Sequence, residues 1–420
     1  MYRTVQIFHI LLLFLSLGLQ AQVPDFGKIS EILSVRTEDD VLIKGVRLKN
    51  EGGTPIILVH GFMENTRTWR EMAYEFHKQG HDVFMYNMRG HGNGEQRSRL
   101  LSGASEKYNF DRIVAYDIPA MIDHTYKTTG KKAYYVGHSM GTMSGRLSLS
   151  GVRHGKNGME VSKAAIEWSL KRVKAAVAIA SPTTFETNYF IYKLLKISPN
   201  KFLELKKAAI NLMIRQESPY APEVKGIVAS FIERTRHSFM EKASNNKLVK
   251  SLLEGFLKIE NLNAKELEAS RLFYKGLTRP PLTIVHNAQM WLKSGYKSLD
   301  GNLNYDGLEI PEKLKYVYVG GGHDLLAHPG DILKDLYSQG QNDNLLYALY
   351  PEFSHIDLIS GRRGGTESAR LIDELIHAKF DYKRMNPSDS LERVHFIQAD
   401  RWASRFSTKS CHAMIKALLK

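Results

Sequence analysis

Ser139 sits in Gly137-His138-Ser139-Met140-Gly141, between the strand-like run Ala133 to Val136 and a helical pattern that begins near Met140. Glycines two residues before and after a serine permit a tight strand-to-helix turn that holds the hydroxyl clear of the backbone. A serine hydroxyl is a poor nucleophile at neutral pH. It needs a base to take its proton and a carboxylate to orient that base. For a serine presented in this way, an acid and then a histidine follow along the chain. Gly320-Gly321-Gly322-His323-Asp324 follows the strand-like Tyr316 to Val319, and Tyr350 to Ser354 leads out of the next such run to His355. Asp324 and His355 are therefore the candidate acid and base. Among the rivals, His323 would reverse the order, Asp331 and Asp335 fall at or in a helix, and Asp357 suits a structural partner of the histidine.

Attack by the serine on a carbonyl creates an oxyanion, which needs preorganised donors. One is the backbone N–H after the nucleophile, at Met140. The second comes from the loop after an earlier strand, here His60-Gly61-Phe62, so the N–H of Phe62 is the candidate. Gly61 lets the backbone approach. His60 is read as a brace for that loop, and Arg89 and His91 as structural residues of the turn Arg89-Gly90-His91-Gly92.

These residues must be carried by strands that end at one edge. Glu31 to Val35 and Val41 to Leu48 read as strands joined by an acidic turn. Ile56 to Val59, Val83 to Tyr86, Ala133 to Val136 and Ala175 to Ala180 continue the series. Helical patterns at Thr68 to Lys78 and Asp111 to Tyr126 lie between them, and Pro119 is expected to bend the second. Strands resume at Tyr316 to Val319 and Leu345 to Leu349, and Thr366 to Phe380 reads as a last amphipathic helix. Alternation of this kind specifies an α/β fold with a mostly parallel central sheet flanked by helices. The expected organisation is a first core segment at 22–181, a helical cap or lid at 182–281, a second core segment at 282–382 and a loosely attached tail at 383–420. A cap placed there would cover the strand ends where open α/β sheets bind ligands. Its aromatic stretch contains Tyr189, Tyr192 and Leu195, which either pack the cap onto the core or line an acyl pocket.

The motifs resemble the acid lipases, the family of gastric and lysosomal lipases. The resemblance rests on VHGFMENTRTW, HDVFMYNMRGHGNG, YNFDRIVAYDIPAMID and YYVGHSMGT, and then on HNAQMWLKSG, GGHDLLAHPGD and FSHIDLISG, in the family's order. It implies the α/β-hydrolase fold, with Ser139, Asp324 and His355 on the family's triad and Phe62 and Met140 on its oxyanion donors. It also implies ester cleavage, with a small-molecule ester or lipid as substrate. Met140 departs from the family, which usually has Gln after the nucleophile. A triad of this kind also serves thioester, amide or carbon–carbon cleavage, and the fold has also been used for non-catalytic binding. Ser139 disfavours the epoxide hydrolases and dehalogenases of this fold, whose nucleophile is Asp.

With 420 residues, 43% hydrophobic and 10% aromatic, the chain can bury a large core, which argues against general disorder. Arg3, the apolar Ile7 to Leu19 and the small Ala21 have the pattern of a cleaved signal at 1–21, shorter than the roughly 20 apolar residues of a membrane span. The expected location is secreted or periplasmic. Cys411 is the only cysteine, so no intramolecular disulfide forms. The net charge of +14 is scattered. It suits a solvated basic surface or contact with an anionic lipid interface, and no motif points to nucleic acid. No cofactor and no metal are expected.

Overall fold

The computed structural model describes residues 29–62, 64–92, 94–101, 108–183, 282–340, 342–360, 363–385, 393–398 and 408–418. The expected signal at 1–21 and nearly all of the cap at 182–281 lie outside the described residues, and so do Tyr189, Tyr192 and Leu195.

The strands are β1 (Ser30–Arg36), β2 (Val41–Leu48), β3 (Pro55–Val59), β4 (Asp82–Tyr86), β5 (Arg99–Leu100), β6 (Ala133–His138), β7 (Val152–Gly155), β8 (Gly158–Val161), β9 (Val173–Ile179), β10 (Lys315–Gly321), β11 (Leu345–Tyr350) and β12 (His395–Ile397). Burial separates two kinds. Every residue of β3, β4, β6 and β11 is buried, as befits strands covered on both faces. In β1 and β2, buried and more accessible positions alternate over most of the length, the pattern of strands with one wetter face. The main sheet follows from this. Its order is β1-β2-β4-β3-β6-β9-β10-β11-β12, with β5 paired to β2. The block from β4 to β11 is parallel, and β1, β2 and β12 pair antiparallel at its two sides.

The helices are α1 (Arg70–Lys78), α2 (Ile118–Thr129), α3 (Met140–Leu149), α4 (Lys163–Arg172), α5 (Leu282–Ser294), α6 (Pro329–Ser338), α7 (Gly364–His377) and α8 (Thr408–Leu418). α1 presents Met72, Ala73 and Phe76 to the core and packs against α7. The irregularity expected at Pro119 falls one turn earlier. Ile113–Asp117 is a wide π-helical turn that runs directly into α2, and Pro119, which has no N–H to donate, lies in the first turn after it.

That turn carries Asp117 inward. Both its oxygens meet Arg89: Nε at 2.9 Å, Nη2 at 2.7 Å and the backbone N–H at 2.8 Å. Arg89 also reaches both oxygens of Asp39, at 2.8 and 2.9 Å. The cation is fully buried between two carboxylates, so the structural reading of Arg89 holds.

The tail requires a correction. It was expected to attach loosely, but β12 adds to β11, and α8 packs on α6 with Cys411 and Ile415 buried. β12 and α8 are short, give little periodicity in sequence, and pair with β11 and α6, which lie far back in the chain. The hairpin of β7 and β8 and helix α4 were not anticipated either. Among the described residues no helix is long and apolar enough to cross a membrane.

Arg89→Ala should leave Asp117 without its partner in the core, and breaking a buried pair in this way costs about 3–5 kcal/mol. Equilibrium urea unfolding measures this directly. A variant whose midpoint matches the wild type would remove Arg89 from the stabilising core.

Candidate active site

The register of β3 on β6 pairs Val59 with Gly137, so the two strands end side by side. One continues into His60-Gly61-Phe62 and the other into His138-Ser139. Both glycines of the pentapeptide are required by close approach. A Cβ on Gly141 would lie 2.3 Å from the Val59 carbonyl oxygen, and one on Gly137 would lie 2.7 Å from the Gly141 backbone. Helix α3 therefore starts pressed onto β3. The turn this forces puts Ser139 at φ 49° and ψ −115°, outside the regions an L-residue favours. Strain of this kind gathers at functional sites. Arg146 pins α3 from the other side: it donates to Asp335 of α6 at 2.6 Å and to the Leu308 carbonyl at 3.0 Å.

Asp324 follows β10 and His355 follows β11, and the two loops are stitched together. Gly322 N–H donates to the Tyr350 carbonyl at 2.8 Å, and His323 N–H to that of Phe353 at 3.0 Å. A side chain at Gly321 would put its Cβ 2.3 Å from the Phe353 oxygen. Asp324 Oδ1 accepts the N–H groups of Leu326 and Ala327, each at 2.8 Å, and Oδ2 lies 2.8 Å from His355 Nδ1. A carboxylate only accepts, so Nδ1 carries a proton, and in the neutral ring the lone pair is on Nε2. Asp324, His355 and Ser139 are all buried. The rivals have other partners. Asp335 holds Arg146, and Asp357 accepts the Ser354 N–H at 2.9 Å, within the histidine's own loop.

The structure thus joins Asp324 to His355 directly and brings the His355 loop to the residue before Ser139. His138 Nε2 lies 3.2 Å from the His355 carbonyl oxygen, and the two imidazole rings are 4.9 Å apart. Met140 is the first residue of α3, so its N–H has no intrahelical acceptor. Phe62 lies in the loop after β3 and is partly exposed.

His60 fixes the direction of the Phe62 N–H. Its Nδ1 donates to the Gly61 carbonyl at 2.8 Å, while its Nε2 accepts the Met88 N–H at 3.1 Å. In a trans peptide the C=O and N–H point opposite ways, so holding the Gly61 oxygen aims the Phe62 N–H. Both bonds of His60 require the neutral ring, and burial lowers its pKa to about 4. Burial, reinforced by His60 nearby, also drives His91 well below the usual histidine value. His138 behaves differently. Burial is the largest influence on it and opposes its charge. Yet the neighbouring Glu64 carboxylate, 2.9 Å away, and the His355 carbonyl leave its pKa raised. Glu64 is lowered in turn: burial opposes its charge, and His138 with the Gly61 N–H outweighs it. Sequence reasoning did not single out Glu64 or the side chain of His138. The only trace was an acid three residues after Gly61 and an imidazole at the variable position of the pentapeptide.

A strained serine on a strand-to-helix turn, with an acid–histidine pair carried by two loops farther along the same sheet edge, defines a class. Residues 54–329 match the family described as the alpha/beta hydrolase fold, and the chain belongs to that family. The resemblance read from the motifs is borne out. The chain is similar to Lipase member M of Mus musculus, 26% identical over 386 residues, covering 84% of this chain and 83% of the relative. It is similar also to Gastric triacylglycerol lipase of Homo sapiens, 25% identical, covering 82% and 87%. Among solved structures, the epoxide hydrolase VrEH1 of Vigna radiata shares the fold. It is 15% identical with a TM-score of 0.50, covering 84% of this chain and 99% of that one.

The low value at His60 carries a pH signature. Its folded pKa of about 4 lies below the unfolded value near 6.5, so the unfolded chain binds the extra proton between those limits and stability falls as pH drops through that window. The loss amounts to roughly 3 kcal/mol by pH 4. His60→Asn should therefore lose less stability than the wild type between pH 7 and 4.5 in parallel urea titrations. Equal losses would rule out a neutral, bonded imidazole at this position.

Proposed function

We propose that this protein hydrolyses carboxylic esters of lipid-like acids through an acyl-enzyme formed on Ser139. The observation that carries the reading is the 2.8 Å contact of Asp324 with His355, delivered beside the strained turn at Ser139. In the first step, His355 Nε2 takes the hydroxyl proton as Ser139 Oγ bonds to the ester carbonyl carbon. The N–H groups of Phe62 and Met140 stabilise the resulting oxyanion. As the intermediate collapses, the bond to the alkoxy oxygen breaks and the imidazolium returns the proton to the departing alcohol. Water then attacks the acyl-Ser139 with the same imidazole as base; the bond to Ser139 Oγ breaks, the imidazolium returns the proton to Oγ, and the acid is released. Asp324 keeps the imidazole in the required tautomer and stabilises its charge without taking the proton. The lipid-like preference is supported by the names of the relatives, lipases that align over most of this chain. The aromatic segment containing Tyr189, Tyr192 and Leu195 is assigned to acyl contact on composition alone.

A fluorophosphonate should label Ser139 in the folded wild-type protein, and Ser139→Ala should show neither labelling nor ester turnover. Asp324→Asn should lower kcat by about 10⁴-fold through the wrong tautomer. Full activity in Ser139→Ala, measured on a p-nitrophenyl ester, would refute the assignment. On p-nitrophenyl esters of graded length, kcat/KM should rise from acetyl to medium or long acyl chains. A sharp optimum at acetyl would remove the lipid-like substrate while leaving ester hydrolysis in place.

A further inference from the structure

We infer that Glu64, acting with His138, is a positioning residue that clamps the oxyanion loop to the nucleophile strand and the base loop. The inference rests on the ester-hydrolase reading and adds to it a part the triad does not contain. Glu64 Oε2 accepts the Gly61 N–H at 2.8 Å, and Thr68 Oγ1 approaches the same oxygen at 3.4 Å. The other oxygen lies 2.9 Å from His138 Nδ1. That contact is an ion pair whose N–H direction misses the aligned geometry of a hydrogen bond. His138 Nε2 then reaches the His355 carbonyl at 3.2 Å. One carboxylate and one imidazole so connect three segments that must meet in the transition state.

The two side chains are almost completely enclosed, Glu64 at 3% exposure and His138 at 0%. Trp69 lies edge-on to the His138 ring at 6.3 Å. A buried ion pair adds little to stability compared with apolar packing, because desolvation offsets its attraction. What it supplies here is geometry. Gly61 is held on both sides, its N–H by Glu64 and its C=O by His60. Its Phe62-side peptide is the one that points a donor at the oxyanion. There is no slack around it: a Cβ on Gly61 would meet Glu64 Oε1 at 2.8 Å, His138 Nδ1 at 2.9 Å and Ser139 Cβ at 3.0 Å. A shift of the pair is therefore passed to the loop and to the nucleophile together. An oxyanion donor displaced by a fraction of an ångström loses transition-state stabilisation and leaves ground-state binding almost untouched.

The test compares Glu64→Ala, Glu64→Asp and Glu64→Gln with the wild type on a p-nitrophenyl ester, counting active sites by fluorophosphonate labelling taken to completion. Glu64→Ala should lower kcat per labelled site by about 10–100-fold, with KM changed by less than about threefold. A trifluoromethyl ketone, whose serine adduct needs the same donors, should bind more weakly by a similar factor. Glu64→Gln keeps the length and an oxygen for the Gly61 N–H, so it should recover most of the loss. Glu64→Asp keeps the charge but is one methylene too short to reach both partners. It should stay impaired, and it carries the test if the alanine variant does not fold. The inference is overturned if these variants lose thermal stability or labelled fraction while kcat per labelled site and ketone affinity stay at wild-type values. If the wild type itself neither labels nor turns over ester, the ester-hydrolase reading falls first and this inference falls with it.

Discussion

The contact between the first turn of α3 and the end of β3 is the constraint on which the site depends. Gly141 lies so close to the Val59 carbonyl that no side chain fits between them. That closeness fixes where the helix after Ser139 begins, how sharply the chain must turn, and how far the His60-Gly61 loop can sit from the hydroxyl. It also makes the spacing of the pentapeptide intelligible. Each glycine answers a specific steric demand, and the serine between them takes the conformation that remains.

Around this contact the protein builds outward in one direction. β6, β9, β10 and β11 are successive parallel neighbours, so their carboxyl ends form a single rim. Asp324 and His355 reach that rim from the two strands farthest from Glu64, and they arrive already paired. The loops that carry them share backbone hydrogen bonds. Arg146 with Asp335 behind the rim, and His138 with Glu64 beneath it, set the remaining distances. Polar burial is not confined to this rim: Arg89 with Asp117 and Asp39, and Arg47 with Asp82, are buried pairs elsewhere in the fold.

Much of this was legible beforehand, for identifiable reasons. Runs such as Ile56 to Val59 and Val83 to Tyr86 are uniformly apolar because both faces are covered, and that pattern survives without knowledge of neighbours. The pentapeptide, Asp324 and His355 were legible because local chemistry and chain order constrain them. The hairpin Val152–Gly155 with Gly158–Val161 was not, since four-residue strands leave too short a pattern to read. Nor was the pairing of His395–Ile397 with β11, which depends on a partner far back in the chain. Glu64 was invisible for a related reason. Its role comes from meeting His138 across two strand ends, and nothing in the local sequence marks a carboxylate that will be buried.

The unfavourable dihedral angles at Ser139 have an evolutionary implication. A residue held at positive φ destabilises the native fold by roughly 1–3 kcal/mol, and glycine, lacking a Cβ, would relax it. Selection for robustness and selection for turnover therefore oppose one another at this single codon. A lineage in which the proposed chemistry no longer mattered would gain stability by exchanging this serine for glycine.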